Sequence, residues 1–489
     1  MKNGRLRRRA QLMPKIALVE PRASNLHIFS HFPLPRLGGI LLGTLMKEKG
    51  WEVELFVEEI RKIDFDVLLA ADIVGISTIT ATAPRAYALA ERLRERGMPV
   101  LLGGPHVTFL PDEGLRHADF ILRGEAEATL PVFLEAWKRG GEWDGIPGLS
   151  YRRDGENRHN PPADPILDLD ALPFPDLSLL RPDRKPGLRS KTIPVQTSRG
   201  CPFACSFCSV TGMFGRAYRH RSTENIIAEL RRYDSRRSII FFYDDNFAAD
   251  RRRARDLCEA MIRERFKFRW STQVRADLAR DPALVRLMKK AGCHTVYVGF
   301  ESVNPRSLLE MHKAQSVEEL ERAVRVFHAA GIHIHGMFVF GFDQDDAETV
   351  RATVAWAKKA RLMSTQFLIL TPLPGSEFYE RAAAENRIAF KDWSLYDAHH
   401  AVFQPARFTL ADLQWAQIKS HSRFYSFPQQ VRKFFAGRWL DFGLAHYARV
   451  LNKTWKRRNR TFLKVLDLLR PRRGSRVSVD YREDTTLDL

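Results

Sequence analysis

Short runs of apolar, often β-branched residues alternate with amphipathic stretches along the first part of the chain. The runs between residues 15 and 104 are KIALV, WEVELFV, DIVGIS and PVLLGG. Between the last two runs, Ala86, Leu89, Ala90 and Leu93 recur at the spacing of one helical face. Strands that alternate with helices are typical of a parallel, doubly wound α/β sheet, which we predict for residues 15–139.

The carboxyl ends of these predicted strands carry small and polar residues. Ligands of doubly wound sheets bind at these ends, where loops lead into the helices. The candidate binding residues after the third and fourth runs are Ser77, Thr78, Gly103, Gly104 and His106.

A second series of strands and helices begins near residue 193. Its six predicted strands are residues 193–197, 238–243, 268–274, 295–300, 332–340 and 365–370. Helical patterns separate the strands, as in residues 253–265 and 317–330. Six βα units at this spacing predict a partial barrel over residues 191–390, with its chemistry in the loops at the strand carboxyl ends.

The remaining segments differ in composition from these two domains. Residues 140–190 contain eight prolines and few periodic runs, so we predict a linker that packs as an extended arm. We predict a basic tail over residues 1–14, a basic helical region over residues 391–473 and a disordered tail over residues 474–489.

Composition narrows the class of protein. Apolar residues make up 44% of the 489 residues and charged residues 28%, which excludes global disorder. No stretch holds 18 uninterrupted apolar residues, which argues against a transmembrane helix. Five cysteines are too few for a disulfide framework, so we expect a reducing, cytoplasmic setting.

The net charge of +20 is concentrated near the two ends of the chain. Residues 1–15 hold six Lys or Arg and no acidic residue, and residues 421–473 hold fourteen Lys or Arg against Asp441 and Asp467. The body between them is close to balanced, at about +4. Basic ends favour an anionic surface or polymer as a partner.

Three cysteines form the strongest chemical motif. Cys201, Cys205 and Cys208 have the spacing C-x3-C-x2-C, directly after the first predicted barrel strand. Three thiolates on a [4Fe–4S] cluster leave one iron open to a small molecule. The alternative, a zinc site, needs a fourth ligand, for which His220 is the nearest candidate. We expect Cys258 and Cys293 to be buried apolar residues instead.

The cysteine loop, followed by six βα units, resembles the radical S-adenosylmethionine enzymes over residues 190–375. The resemblance implies that the open iron chelates S-adenosylmethionine, whose reductive cleavage yields a 5′-deoxyadenosyl radical. It also places Phe207, one residue before the third cysteine, near the adenine.

Further positions match that family more loosely. The family often has a Gly-Gly-Glu run after the second strand, where it holds the methionine amino group; here the run is Asp244, Asp245 and Asn246. A helix-capping role for these residues is the alternative. The resemblance implies ribose contacts for Glu301 and Ser302. Arg275 is a candidate partner of the methionine carboxylate, with a structural salt bridge as the alternative.

The doubly wound domain, the proline-rich arm and the barrel together resemble the cobalamin-binding subgroup of these enzymes. Ser77, Thr78, Gly103, Gly104 and His106 match the loops that contact cobalamin there. The chain lacks a D-x-H-x-x-G run, so histidine ligation of cobalt from that motif is not expected. A domain that binds no ligand is the alternative. The subgroup's usual reaction is methyl transfer to an unactivated carbon, although some relatives cyclise or contract rings.

We therefore expect three cofactors: a [4Fe–4S] cluster, S-adenosylmethionine and cobalamin. The favoured substrate is a small lipid or isoprenoid-like molecule, with a flavodoxin or ferredoxin as electron donor. An RNA substrate is less favoured, because RNA-modifying relatives usually carry three further cysteines and none here precedes Cys201.

The basic C-terminal region has two interpretations. Phe427, Val431, Phe434 and Phe435 can share one helical face, and Phe462, Val465, Leu466 and Leu469 another. Such helices bind the membrane interface, which would let the enzyme draw an apolar substrate into the barrel mouth. The alternative is that they only cap the barrel.

His333 and His335 point to the same side of a predicted strand. They contact substrate or, in the alternative that we favour, form hydrogen bonds in the core.

Overall fold

The computed structural model describes residues 13–25, 34–181 and 191–470. The predicted tails over residues 1–14 and 474–489 lie almost wholly outside these ranges. The described residues divide into two compact units, one of residues 13–24 with 34–181 and one of residue 25 with 191–470.

The first unit is built on a seven-stranded sheet with the order β2-β1-β3-β4-β5-β6-β7. Its strands are β1 (Lys15–Glu20), β2 (Glu52–Val57), β3 (Ile73–Ser77), β4 (Val100–Gly103), β5 (Phe120–Leu122), β6 (Leu149–Arg153) and β7 (Glu156–His159). Its helices are α1 (Leu37–Glu48), α2 (Phe65–Leu69), α3 (Ala83–Glu95), α4 (Pro105–Phe109), α5 (Pro111–His117) and α6 (Thr129–Lys138). β1 to β5 are parallel, which confirms the doubly wound sheet.

The predicted linker is wrong for residues 149–159, which form a hairpin that extends this sheet. β6 pairs antiparallel with β5 and then with β7. Asp154 and Gly155 form the connecting turn, and both have positive φ, at 54° and 83°. An Asp-Gly pair between two strands is a strong hairpin signal, which the proline content of the segment obscured.

The second unit is a partial barrel of six parallel strands in the order β8-β11-β12-β13-β14-β15. These strands are β8 (Lys191–Val195), β11 (Ser238–Phe242), β12 (Arg269–Val274), β13 (Cys293–Glu301), β14 (His333–Phe340) and β15 (Ser364–Ile369). Two short strands, β9 (Ser198–Arg199) and β10 (Arg219–His220), form a separate antiparallel pair.

Helices connect the barrel strands and follow the last of them. Those between the strands are α7 (Val210–Phe214), α8 (Thr223–Leu230), α9 (Arg251–Arg263), α10 (Pro282–Lys290), α11 (Pro305–Glu310), α12 (Val317–Ala329) and α13 (Ala347–Lys359). Those after β15 are α14 (Glu377–Ala384), α15 (Leu410–Phe424), α16 (Phe427–Phe435), α17 (Trp439–Arg458) and α18 (Arg460–Leu468). Within the described ranges, no helix is long and apolar enough to cross a bilayer.

The residues that we assigned to the core are buried. Cys258 and Cys293 are 0% and 1% exposed. His335 is also buried, with Nδ1 2.8 Å from Ser364 Oγ and Nε2 3.3 Å from Gln366 Oε1. The ring of His333 lies 4.6 Å from that of His294, at the amino ends of β14 and β13. The core interpretation of His335 is therefore confirmed.

Side chains of α15 cover the free edge of β15. Gln417 Nε2 donates to Phe367 O at 3.0 Å, and His421 Nε2 accepts from Phe367 N at 3.3 Å. The Tyr425 hydroxyl accepts from Thr365 N and donates to Thr365 O, both at 2.7 Å. Gln417, His421 and Tyr425 recur every four residues, so one helical face supplies all of these bonds. Burial lowers the pKa of His421 to about 3, so the ring stays neutral and can accept.

Replacing His421 with Ala is expected to show that the edge of β15 depends on the side chains of α15. The buried Phe367 N–H would lose its acceptor, at a cost of about 1–3 kcal/mol. Amide hydrogen exchange in β15 should accelerate roughly 5- to 150-fold, as measured by mass spectrometry. Lys419→Ala, on the exposed face of the same helix, should leave exchange in β15 unchanged. Equal exchange in the two variants would contradict the proposed edge role.

Candidate functional site

The cysteine loop begins at a glycine that no other residue can replace without strain. Gly200 has φ +84°, and a Cβ there would lie 2.3 Å from Ala217 O. The β9–β10 pair closes the base of the loop. Farther along, Ser206 N donates to Met311 O at 3.3 Å and Ser206 O accepts from Phe378 N at 2.9 Å. These bonds fix the backbone between the second and third cysteines.

Cys201, Cys205 and Cys208 are partly exposed free thiols on this loop. Cys208 N donates to Cys205 O at 3.1 Å, which forms a turn between them. Burial raises the pKa of Cys208 to about 12, and the charges of Cys205, Asp245 and Cys201 add to that shift. Within the described ranges, no three His, Cys, Asp or Glu side chains already converge as metal ligands. The donor set itself, three neighbouring thiols on an anchored loop, is the set that a [4Fe–4S] cluster with one open iron takes.

The carboxylates after β11 take different positions. Asp244 is fully buried and accepts from Thr197 N at 2.7 Å and Ser198 N at 2.8 Å, so it fixes the start of the cysteine loop. Asp245 reaches solvent beside Cys201 and Cys208, but the protein packed around its carboxylate desolvates it, and this together with the charge of Asp244 raises its pKa to about 7. Asp244 therefore supports the loop, whereas Asp245 remains accessible to a ligand.

Arg275 connects the cysteine loop to its surroundings. Its guanidinium lies 3.7 Å from the centre of the Phe203 ring, and Nη1 lies 3.9 Å from Cys205 Sγ. Nη2 donates to Lys313 O, and Nε lies 3.4 Å from Asp277 Oδ1. The structural salt bridge is thus present, and the same side chain brings positive charge next to a cluster thiol.

A pocket of about 460 Å³ opens beside Phe203 and Arg275. Its other lining residues come from the loops after β11 and β12, and they are Asn246, Ala248, Ala249, Asp250, Arg251, Asp277 and Leu278. Asn246 is itself buried. Of the predicted polar residues after these two strands, Asn246 and Arg275 therefore line one opening, whereas Asp244 and Asp245 do not line it.

Glu301 is held by a lysine that sequence reasoning missed. Its Oε1 accepts from Lys313 Nζ at 2.7 Å, and both side chains are buried. Glu301, His312 and Ala314 have positive φ, at 63°, 55° and 51°, a conformation that costs free energy in residues with a Cβ. The two ends of this ion pair lie twelve residues apart, at the end of β13 and after α11, and no sequence signal joins them.

Two more polar residues lie in the same loops. Both side-chain polar atoms of buried Gln315 lack a hydrogen-bond partner within the described residues, which leaves polar capacity for a ligand two residues from Lys313. Ser302 Oγ accepts from Asn304 N at 3.1 Å, so it also closes the turn after β13.

Phe207 forms the apolar side of the cysteine loop. Its ring lies 5.9 Å from that of Phe342, edge to face. It packs against a cluster of buried residues at the carboxyl ends of the strands and in α14, which includes Leu308, Met311, Val339, Phe342, Leu370, Phe378 and Phe403. The loop is therefore polar on one side and apolar on the other.

In the first unit, the predicted binding residues meet at the carboxyl ends of β3 and β4. Ser77 pairs with Gly103, and Thr78 N donates to Gly103 O at 2.7 Å. Gly104 has φ +96°, and a Cβ there would lie 2.4 Å from Thr78 O. Thr78 and His106 are 0% exposed, and His106 Nε2 lies 3.2 Å from Glu113 Oε1. These two support the loops from inside, whereas Ser77 and Gly103 remain accessible, and Ser77 ends β3, which flanks the point between β1 and β3 where the strand order reverses.

Comparison with known proteins assigns both units. The radical SAM superfamily model matches residues 195–357, and the B12 binding domain model matches residues 30–134. An uncharacterized methyltransferase of Pyrococcus horikoshii is 34% identical over 418 residues, which cover 82% of this chain and 89% of that protein. The bacteriochlorophyllide d C-12(1)-methyltransferase of Chlorobaculum tepidum is 29% identical over 341 residues, 69% of this chain and 71% of that protein.

Other relatives are named for different reactions. The hopanoid C-3 methylase of Methylococcus capsulatus is 28% identical over 76% of this chain and 72% of that protein. The anaerobic magnesium-protoporphyrin IX monomethyl ester cyclase of Rubrivivax gelatinosus is 27% identical over 73% of this chain and 66% of that protein. Among solved structures, the radical S-adenosylmethionine methyltransferase TsrM of Kitasatospora setae has a TM-score of 0.64 and 20% identity, over 76% of this chain and 75% of that chain.

The fold and the site define a radical S-adenosylmethionine enzyme with a B12-binding domain. The chain belongs to the cobalamin-binding radical S-adenosylmethionine enzymes, and its cofactors are a [4Fe–4S] cluster, S-adenosylmethionine and cobalamin. The individual residues that hold these cofactors remain predictions.

Replacing Cys201, Cys205 and Cys208 together with Ala is expected to abolish iron binding and S-adenosylmethionine cleavage, because the loop then offers no thiolate. Iron and sulfide per chain after anaerobic reconstitution provide the measurement. Cys258→Ala, which removes a buried thiol outside the loop, should keep both properties. A triple variant that still binds iron would refute the assignment.

Lys313→Met is expected to weaken S-adenosylmethionine binding roughly 10- to 100-fold, because it leaves the buried Glu301 carboxylate without its charged partner. Lys313→Arg should recover part of the affinity, and Lys290→Met, at an exposed lysine, should have no effect. Calorimetry on anaerobically reconstituted protein measures the dissociation constants. Unchanged affinity in the Met variant would show that Lys313 only stabilises the loop.

Proposed function

We propose that this enzyme transfers a methyl group to an unactivated carbon of a small, apolar, lipid- or isoprenoid-like molecule. The observation that carries the proposal is the match over both units to relatives named as methyltransferases, among them a bacteriochlorophyllide methyltransferase and hopanoid methylases.

The chain's own residues have separate tasks in this proposal. Cys201, Cys205 and Cys208 hold the cluster, and Arg275 holds positive charge beside Cys205. When bound, the cluster and S-adenosylmethionine supply one-electron cleavage chemistry and cobalamin supplies the methyl group.

The polar and apolar sides of the cysteine loop then have different roles in binding S-adenosylmethionine. Lys313 would hold the Glu301 carboxylate in place for the ribose hydroxyls, and Asp245 would accept hydrogen bonds from the methionine ammonium. Phe207 packs against the apolar cluster, which keeps water from that side of the loop.

Cyclisation without methyl transfer is the second candidate, because the Rubrivivax gelatinosus relative is named as a cyclase. For either reaction we propose a cytoplasmic enzyme that takes electrons from a flavodoxin or ferredoxin. An RNA substrate is disfavoured, since all five cysteines lie at or after Cys201 and none is left for a second cluster before it.

Methyl transfer is tested with S-adenosylmethionine that carries a deuterated methyl group. The reconstituted enzyme, with cobalamin and reductant, is incubated anaerobically with a lipid extract of the source cells and with a separate polar extract. We expect deuterium-labelled methyl groups on a lipid-soluble product by mass spectrometry, and none with the triple cysteine variant. A product that has lost hydrogen without gaining label would indicate cyclisation, and label confined to the polar extract would exclude the apolar substrate.

A further inference from the structure

The C-terminal helices divide into one part that covers the barrel and one that projects from it. α15 lies along β15, and α18 packs against the protein through Leu463 and Leu466, which are 5% and 1% exposed, although its last residue, Leu468, is 83% exposed. Of the second face that we assigned to the membrane, Leu466 is buried and the ring of Phe462 contacts those of Phe390 and His400, so this face contacts the protein. By contrast, Phe427, Phe434 and Phe435 on α16 are 63%, 40% and 82% exposed.

The turn between α16 and α17 is an exposed aromatic projection, here named the aromatic tip (residues 434–440). Trp439 and Leu440 are 60% and 53% exposed, next to Phe434 and Phe435. The rings of Phe434 and Trp439 meet edge to face at 4.5 Å. Of the twelve large apolar side chains exposed in the described ranges, four are in these seven residues, so the tip is not ordinary surface scatter.

The aromatic tip lies at the amino-terminal end of the barrel strands. Lys433 Nζ, at the end of α16, donates to the carbonyl of Met363, the residue before β15, at 3.0 Å. Arg438 and Asp441 influence the pKa of His333, at the start of β14, which burial lowers. The cysteine loop, in contrast, follows the carboxyl end of β8. The tip and the cluster site are therefore at opposite ends of the barrel, which is contrary to the expectation that the docking helices lie at the barrel mouth.

The same end of the barrel carries a basic rim. Because the strands are parallel, the segments that precede them meet there. Exposed basic residues in these segments include Arg236, Arg265, Lys267, Arg269, Lys289, Lys290, Lys359 and Arg361. The acidic residues in the same segments are Asp234 and Glu264, which form ion pairs with Arg237 and Arg231. The rim thus has a strong net positive charge, although the chain body as a whole is close to balanced.

The usual preference of helix carboxyl ends for basic residues explains only part of this rim. It accounts for Lys289, Lys290 and Lys359, which end α10 and α13. Arg236 and Lys267 lie in loops beyond the helices, and Arg269 opens β12. A positive surface around protruding Trp, Phe and Leu side chains is the pattern by which proteins bind the interface of an anionic membrane.

We propose that the aromatic tip and the basic rim together dock the enzyme on an anionic lipid surface. The tip inserts its aromatic side chains among the headgroups, and the rim pairs with the anionic lipids around it. Docking in this orientation directs the cysteine loop away from the lipid.

Co-sedimentation of the full-length holoenzyme with vesicles tests this proposal. Vesicles of phosphatidylserine with phosphatidylcholine are compared with vesicles of phosphatidylcholine alone, at low and high salt. We expect binding to the anionic vesicles that decreases with salt. A basic residue near such a surface raises affinity by about fivefold. Lys267→Glu with Lys290→Glu and Lys359→Glu, and separately Phe435→Ser with Trp439→Ser, should each weaken binding about tenfold or more.

Matched control variants lie at the other end of α17 and on α18. The ring of Trp455 there lies 4.9 Å from His400, which follows β15, so this end is near the strand carboxyl ends. Arg457→Glu with Arg458→Glu and Lys464→Glu reverses as many exposed charges, and Leu468→Ser removes an apolar residue that is 83% exposed. These controls should bind vesicles within twofold of the unaltered protein. S-adenosylmethionine cleavage by every variant verifies that the fold is intact.

Four results would overturn the proposal. They are equal binding to neutral and anionic vesicles, unaltered binding by the tip or rim variants, equal loss in the controls, and failure of the unaltered protein to bind. If the tip variants instead change a concentration-dependent mass in light scattering, the tip is a self-association surface. If the rim variants lose only retention on an RNA oligonucleotide, the rim binds nucleic acid. Because no arm uses the methylation assay, the docking surface can fail while the proposed reaction holds, and the reverse.

Discussion

Unsatisfied backbone groups at the edge of an open sheet are the constraint on which the second unit depends. Six parallel strands do not close into a barrel, so β15 has N–H and C=O groups without a strand partner. Thr365 and Phe367 bond to side chains of α15, and Ile369 N donates to Ala398 O at 2.8 Å. The region after β15 is therefore part of the barrel's architecture, which explains why most of its apolar residues face inward.

The same principle of shared support organises the cofactor site. The cysteine loop is held at its start by Asp244 and at its centre by the carbonyl of Met311 and the amide of Phe378. Arg275 then joins that loop to the segment of Lys313, whose ammonium holds Glu301. Residues after five different strands thus constrain one another, and the strained backbone at Glu301 is maintained by this network.

Much of the fold was accessible from the sequence because strands buried on both faces appear as continuous apolar runs. The six barrel strands lie within two residues of their predicted positions. The hairpin of β6 and β7 was missed because β7 is exposed and polar, so the pattern of its residues is that of a loop. In the site, the cysteine motif identified the three thiols. Nothing in the sequence, however, distinguished the loop-supporting role of Asp244 from the accessible position of Asp245. Adjacent carboxylates differ only in the direction of their side chains, which the tertiary structure sets.

The cysteine loop and the aromatic tip lie at opposite ends of the barrel, and this separation has a consequence for how the sequences of such enzymes diverge. Loops at the strand carboxyl ends surround the cluster, whereas the segments at the amino ends share no residue with them. Substitutions that alter substrate choice can therefore accumulate at one end without disturbing the other. Relatives named for tetrapyrrole and hopanoid substrates retain 27–29% identity across most of this chain, so one scaffold accommodates substrates of different shape.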